Sequence, residues 1–378
     1  MSVNPVRDSA KFISENSTQV SINTVGVVEA ARKVSGLIIE QNYSKSIWQT
    51  HPLNPKPSKY GGSDEAAIDW LFVVDTLNFC FWNGDNEPVF CVEYKGSLFS
   101  GYWGLCAAVN RALDEGIPFT NPEYLSKVKK SDLEYIFRTS SPKADSPNPD
   151  SDGFTVNQSE NSVPEKSEMK MLNERVCVLT ELGQVTISRF GGKFINILKS
   201  CENSAVELTK ILSKNFSSFN DSCEFKERTV NFFKRAQILC GELWACFEGL
   251  GYGHFDDINE LTMFADYRVP QILVYLGILE YSPELTQFLE KQNKYIYSPK
   301  SGINKDLLLP SGSQWEVEIR GNSIHGVELL KKEILKLPNM KDIEINSVLL
   351  DFCLWDCAKA NSQLMEHIPI HLTLSVYY

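Results

Sequence analysis

RTVNFFKRAQILCGELWACFEG, residues 228–249, carries Phe233, Ala236, Cys240, Leu243, Trp244 and Phe247 at steps of three and four. That apolar stripe predicts a helix packed into a core. The glycine-rich turn GLGYG, Gly249–Gly253, ends it. Upstream, SDEAAIDWLFVVDTLNFCFW (63–82) predicts a second helix with Ser63 or Asp64 as its N-cap. PVFCVEYKGSLFSGYW (88–103) reads as a short β-hairpin around Lys95-Gly96. GYWGLCAAVNRALDEGIP (101–118) is a helix stopped by Gly116, with Pro118 beyond it. VELTKILSKNF (206–216), GNSIHGVELLKKEILKL (321–337) and INSVLLDFCLWDCAKAN (345–361) are further helices, and HLTLSVYY (371–378) is short and extended. EVEIRG (316–321) reads as an extended segment with Glu318 and Arg320 paired on one side. The fold class is predominantly α with a little β.

TSSPKADSPNPDSDGFTVNQSENSVPEK, at about 139–166, is dense in Ser, Pro, Asn and Asp and predicts a disordered insertion. It divides the chain into a helical part with the hairpin (1–138) and a second helical part (167–378), which together form one compact unit. SPKSGINKDLLLPSGSQ (298–314) reads as a second long loop.

The net charge of −11 opposes binding to duplex nucleic acid, which needs a basic face to displace counterions. The densest basic clusters, KVKK (127–130) and LLKKEILK (329–336), sit beside acidic residues. A small phosphorylated ligand needs only one or two cations and stays compatible. No apolar run approaches the roughly 20 residues of a membrane span, and MSVNPVRDSAKF lacks a basic-then-apolar signal. Ten scattered cysteines, several in apolar company, are the habit of reduced thiols and point to the cytoplasm. The five histidines lack metal-ligand spacing. No GxSxG, P-loop or dinucleotide fingerprint is present, so neither a metal nor a cofactor is implied.

Candidate chemistry centres on TMFADYRVPQIL (262–273), where Asp266, Tyr267 and Arg268 interrupt an apolar run just before a helix. Asp266 suits the N-cap, with Pro270 in the first turn. A cap alone accounts for it; equally, free N–H groups and the helix dipole would hold an anion able to meet a developing cation. Lys234 and Arg235 lie about 100° apart on their helix. They read either as a solvated pair or as a source of a cation for a phosphate or of a partner for Asp266. Asp75 and Asn78 share a helical face near Phe81 and Trp82 and could read the polar edge of a stacked heterocycle, or could simply fix helix packing. Tyr102 and Trp103 extend that aromatic wall.

The strings SAKFISENS, DEAAIDWLFVVDTLNFCFW, GYWGLCAAVNRALDEGIP, NFFKRAQIL, TMFADYRVPQIL, EVEIRG and SVLLDFCLWD together resemble the queuosine salvage protein family. The resemblance runs in order over nearly the whole chain; the insertion and the 298–314 loop depart from it. It implies hydrolysis of the N-glycosidic bond of queuosine 5′-monophosphate, releasing queuine for reinsertion into tRNA. It also implies an all-α fold similar to helix-hairpin-helix DNA glycosylases, in which a glycine hairpin precedes a helix opened by a catalytic Asp. Gly249–Gly253 and Asp266 stand in comparable order.

On that resemblance, Asp266 is the catalytic group, by charge, by a transient ester or by orienting water. Asp75 and Asn78 would read the base edge, with Phe81, Trp82 and Trp103 as stacking surfaces. Lys234 or Arg235, Tyr102 and Arg268, beside Tyr267, are candidates for the 5′-phosphate. Two other readings are a non-catalytic nucleotide-binding or tRNA-associated protein, and a polynucleotide glycosylase, which the charge opposes.

Overall fold

The computed structural model describes residues 4–85, 87–139 and 168–378. The insertion expected at 139–166 therefore lies, from residue 140 on, outside the described residues. Helices α1 (Pro5–Asn16), α2 (Thr24–Glu40), α3 (Asp64–Leu77), α4 (Gly101–Asp114), α5 (Pro122–Leu125) and α6 (Lys130–Ile136) precede it. After it come α7 (Leu172–Phe190), α8 (Phe194–Lys199), α9 (Ala205–Asn215) and α10 (Lys234–Cys246). They are followed by α11 (Val269–Tyr275), α12 (Pro283–Tyr295), α13 (Gln314–Ile334) and α14 (Ser347–Ala360). The strands form four antiparallel pairs: β1 (Val20–Ile22) with β6 (Leu279–Tyr281), β2 (Cys91–Tyr94) with β3 (Ser97–Ser100), β4 (Ser222–Phe225) with β5 (Arg228–Asn231), and β7 (Tyr297–Ser298) with β8 (Gly302–Ile303). Among the described residues no helix is long and apolar enough to cross a membrane.

Helix α10 is buried along its whole length, Lys234 to Cys246, between α3, α9 and the 3-10 turn Lys45–Thr50. It is shorter than its apolar stripe predicts. Arg228–Asn231 pairs with Ser222–Phe225 instead, through a turn in which Lys226 and Glu227 have φ of 46° and 62°. Such primed turns usually carry Asn or Gly. None is present here, so the hairpin hides inside a helical pattern. Helix α3 starts where Ser63 accepts the Ala66 N–H at 3.3 Å, with Asp64 and Glu65 favouring the positive helix end. Its second half, Trp70 to Leu77, is buried on all sides.

EVEIRG is helical, not extended. Glu316 to Arg320 are all buried within α13, so the alternation of charge and aliphatic groups marks no strand face. Arg320 pairs with Glu316 at 3.2 Å, one helical turn away, and with Asp221. Glu318 instead accepts the backbone N–H groups of Thr18 (2.9 Å), Gln19 (2.6 Å) and Val20 (3.2 Å). The 298–314 stretch holds the β7–β8 pair and a 3-10 turn at Lys305–Leu307. The extended tail His371–Tyr378 threads the core: Trp82 Nε1 donates to the Thr373 carbonyl at 2.8 Å and the Cys80 N–H to the Tyr378 carbonyl at 3.1 Å. One contiguous set of buried apolar residues runs from Val6 to Tyr378.

Helix α2 approaches the Gly277 turn through Gly26, where a β-carbon would lie 1.8 Å from the Gly277 carbonyl oxygen. Backbone meets backbone there, so no rotamer change can relieve the clash. Gly26→Ala should cost about 2–3 kcal/mol by overpacking and lower Tm by several degrees in a thermal melt. An unchanged Tm would show that the two segments move apart freely.

Candidate active site

A cavity of about 280 Å³ opens where α3, α4, α10, the segment before α11 and α14 converge with the 3-10 turn Lys45–Thr50. Its lining is rich in aromatic rings and also carries several charged groups. Tyr102 and Trp103 of α4 meet edge-on at 4.9 Å, and Trp355 of α14 meets them at 6.4 and 6.3 Å. Phe264 and Phe352 lie 6.0 Å apart on the same lining. Such a surface suits one flat heterocycle, with a few polar groups to orient it.

Helix α11 begins at Val269, three residues after Asp266. Asp266 nevertheless caps it: Oδ1 accepts the N–H groups of Arg268 and Val269, each at 2.8 Å. Oδ2 has no hydrogen-bond partner among the described residues. Part of Asp266 is reached through the cavity, yet protein surrounds it closely enough that desolvation raises its carboxyl above the usual range. The Lys234 ammonium and the two backbone N–H groups oppose that rise. Capping therefore offsets burial without overcoming it. Lys234 is shifted down, first by burial, with Asp266 the main opposing influence. Its Nζ donates to the Asn78 carbonyl at 3.3 Å.

A second carboxyl stands beside Asp266. Asp351 of α14 accepts the Phe264 N–H at 2.8 Å and is raised well above the usual range by burial and then by Asp266. Of two like charges sharing a dry site, one keeps its proton. Both carboxyls are raised by burial; at Asp266 the Lys234 ammonium and two backbone N–H groups favour the anion, and at Asp351 the Phe264 N–H and Lys234 do. Behind this pair, Arg320 donates Nε to the Ala265 carbonyl at 3.0 Å while Asp221 holds its guanidinium and also accepts the Lys234 backbone N–H at 3.2 Å.

Glu242 lies two turns along α10 from Lys234, on the same face as Ile238, and all three line the cavity. Tyr102 donates its hydroxyl to Oε1 at 2.9 Å, while Oε2 is buried without a partner among the described residues. Burial pushes the Glu242 carboxyl up to about 7 against the favourable influence of Tyr102, Trp48 and Lys234. Asp75, just behind, is raised further by complete burial and by Glu242.

Of the residues expected from the sequence, Asn78, Phe81, Tyr102, Trp103, Lys234, Asp266, Tyr267 and Arg268 line this cavity. Asp75, Trp82 and Arg235 do not. Asp75 is buried behind Asn78, whose Nδ2 donates to it at 3.3 Å; α3 ends at Leu77, so the two no longer share a helical face. The Trp82 indole is held by the Thr373 carbonyl and covered by Lys170. Arg235 spends its guanidinium on the carbonyls of Asp75, Thr76 and Ser218, so it reaches neither a phosphate nor Asp266. Sequence reasoning passed over Glu242, Asp351 and Trp355, although each charged one is a lone acid in an apolar helical run, a legible signal. Trp48 and His51 sit in an irregular segment with no period to betray them.

These features define a helical protein whose described residues form a cavity suited to a small aromatic ligand, with a carboxyl group held on backbone N–H groups in its lining. The chain belongs to the queuosine salvage protein family, whose profile matches residues 57–151 and 153–378. It is 40% identical to the Bos taurus protein called queuosine 5′-phosphate N-glycosylase/hydrolase, over 98% of each chain. Proteins of the same name in Schizosaccharomyces pombe (37% identical, 99% of each chain) and Sphaerobacter thermophilus (34% identical, 83% of this chain and 82% of that one) are also similar.

The raised Glu242 carboxyl has a consequence for stability. A free glutamate titrates near 4.3, whereas the folded protein keeps the Glu242 proton up to about 7. Between those values the folded state binds more protons, so this group's contribution to stability falls as pH rises and is lowest above 7. Glu242→Gln removes that loss. Thermal melts should show the variant above wild type at pH 8, with the gap closing toward pH 4.5; a pH-independent gap would contradict the assignment.

Proposed function

We propose that this chain hydrolyses the N-glycosidic bond of queuosine 5′-monophosphate and frees queuine for salvage into tRNA. The observation that carries this reading is Asp266, lining an aromatic-rich cavity with Oδ1 held by two N–H groups and no donor to Oδ2 among the described residues. The relatives above are named for the same reaction.

As the C1′–N bond breaks, its electron pair leaves with the base and positive charge builds on C1′ and the ring oxygen. The Asp266 carboxylate stabilises that charge. A water oxygen then bonds to C1′, one water proton goes to the departing base, and ribose 5-phosphate and queuine result. Queuine is a 7-deazapurine and lacks the ring nitrogen usually protonated when purines depart. Stabilisation on the sugar side therefore carries more of the barrier, which suits a carboxylate held in place before the substrate arrives. In this reading Phe81, Tyr102 and Trp103 flank the base, Asn78 supplies a polar contact, and Lys234, Tyr267 and Arg268 serve the sugar-phosphate end. Asp75, Trp82 and Arg235 support the site from behind.

The substrate in this proposal is a mononucleotide, because a chain of net charge −11 is poorly suited to a polynucleotide backbone. The compartment is the cytoplasm, where ten cysteines outside any disulfide stay reduced.

The test is incubation of the purified protein with queuosine 5′-monophosphate, the nucleoside and modified tRNA, following free queuine. Release should come from the monophosphate and fall at least about 100-fold in Asp266→Asn, while equilibrium binding persists. Release only from tRNA, or binding without release, would overturn the proposal. Because Asp266 must be ionised, kcat/KM should fall on acidification above the usual carboxylate range. Lys234 opposes the rise of that carboxyl, so Lys234→Met should move the acid limb to higher pH. A limb that stays put would remove Lys234 from the assignment.

A further inference from the structure

We infer that Glu242 reads the base, its carboxylate accepting the paired ring N–H and exocyclic amino N–H of a guanine-type edge. This rests on the reading of the cavity as a nucleotide site.

Position selects this carboxylate from the others. Asp351 holds the Phe264 N–H beside Asp266, at the end where the sugar reacts. Asp75 does not line the cavity, and Asp356 is exposed and occupied by the Tyr43 hydroxyl at 2.5 Å. Glu242 lies eight residues beyond Lys234 on one helical face, a rise of about 12 Å. That separates a base-recognising group from the reacting carbon along a single rigid helix.

Chemistry selects it as well. A buried carboxylate oxygen without a donor costs free energy unless something supplies one. Oε2, on a residue only 5% exposed, has no hydrogen-bond partner among the described residues, although the Trp48 side chain on the same lining also favours the carboxylate. The complementary ligand presents N–H donors, and two adjacent donors match the two oxygens of one carboxylate. The residue already bound to Oε1 is Tyr102, whose ring belongs to the aromatic wall with Trp103 and Trp355. One base can therefore stack on that wall and present its donor edge to Glu242. A base without the amino group would leave one carboxylate oxygen without a donor, and a base with a ring acceptor would set a lone pair against it. The site thus selects guanine-type over hypoxanthine-type and adenine-type bases.

The experiment compares equilibrium binding of 7-deazaguanine and 7-deazahypoxanthine, which lacks the amino group, by titration calorimetry at pH 8, where Glu242 has lost its proton. Wild type should prefer 7-deazaguanine by at least about tenfold. Glu242→Gln keeps an acceptor for Tyr102 but turns an amide donor toward the base donors, so the preference should vanish. Glu242→Asp keeps the charge on a shorter arm and should bind both bases more weakly while retaining the preference. With queuosine 5′-monophosphate, Glu242→Gln should raise KM far more than it lowers kcat. Equal discrimination in wild type and Glu242→Gln, or no preference in wild type, overturns the role of Glu242. Preference present but no queuine released by wild type overturns the proposed activity and leaves the base-reading role intact.

Discussion

A helix with no solvent face must find partners inside the protein for every polar group it carries. Helix α10 is such a helix, and it bears Lys234, Arg235, Gln237 and Glu242. An unpaired buried charge costs several kcal/mol, so these four side chains dictate much of what surrounds them. Gln237 is fully engaged, accepting from Asn4 and the Thr262 N–H and donating to the Phe232 carbonyl. Arg235 is consumed by backbone carbonyls. Lys234 and Glu242 are only partly satisfied, and both border the cavity. These two residues mark the two ends of the candidate site, whereas Arg235, whose Nε has no partner among the described residues, does not border the cavity.

Asp266 is placed by a chain of contacts that starts on a different helix. Arg320 of α13 is neutralised by Asp221 and Glu316, and its Nε holds the carbonyl of Ala265, the residue before Asp266. Asp221 also accepts the first N–H of α10. Lys234 and Asp266, from segments more than thirty residues apart, are therefore referred to one buried ion cluster. Asp351 fixes the same strand of chain from the other side through the Phe264 N–H. A carboxylate so constrained changes little when substrate arrives, the condition under which electrostatic stabilisation is most effective.

Helices whose apolar residues recur over several turns, such as α3, α4, α9 and α10, were legible from spacing, as was the β2–β3 hairpin with its Lys95-Gly96 turn. The β4–β5 hairpin was not, because Lys226-Glu227 adopts a turn conformation without the residues that usually mark it. EVEIRG misled for the opposite reason: alternation implies a strand only where one face is solvated, and both faces are buried in α13. In the candidate site, Asp266 announced itself as a charge within an apolar run. Glu242 and Asp351 gave the same signal more quietly. Arg235 could not be separated from Lys234 by spacing, since the choice depends on which carbonyls happen to lie opposite. Trp48 and His51 come from irregular chain, where tertiary contacts alone decide orientation.

Two buried arginines grip the end of α3 by its main chain. Arg235 donates to the carbonyls of Asp75, Thr76 and Ser218, and Arg175 to those of Leu77 at 2.6 Å, Phe79 at 2.6 Å and Lys170 at 2.9 Å. A carbonyl is present whatever side chain the residue carries. The main-chain path of this wall is thus insulated from substitution at Asp75, Thr76 and Leu77, which do not line the cavity, whereas Asn78 and Phe79 do. The reverse does not hold: no change in that segment can compensate for loss of either guanidinium, so the burden of heredity falls on Arg175 and Arg235 rather than on the residues they hold.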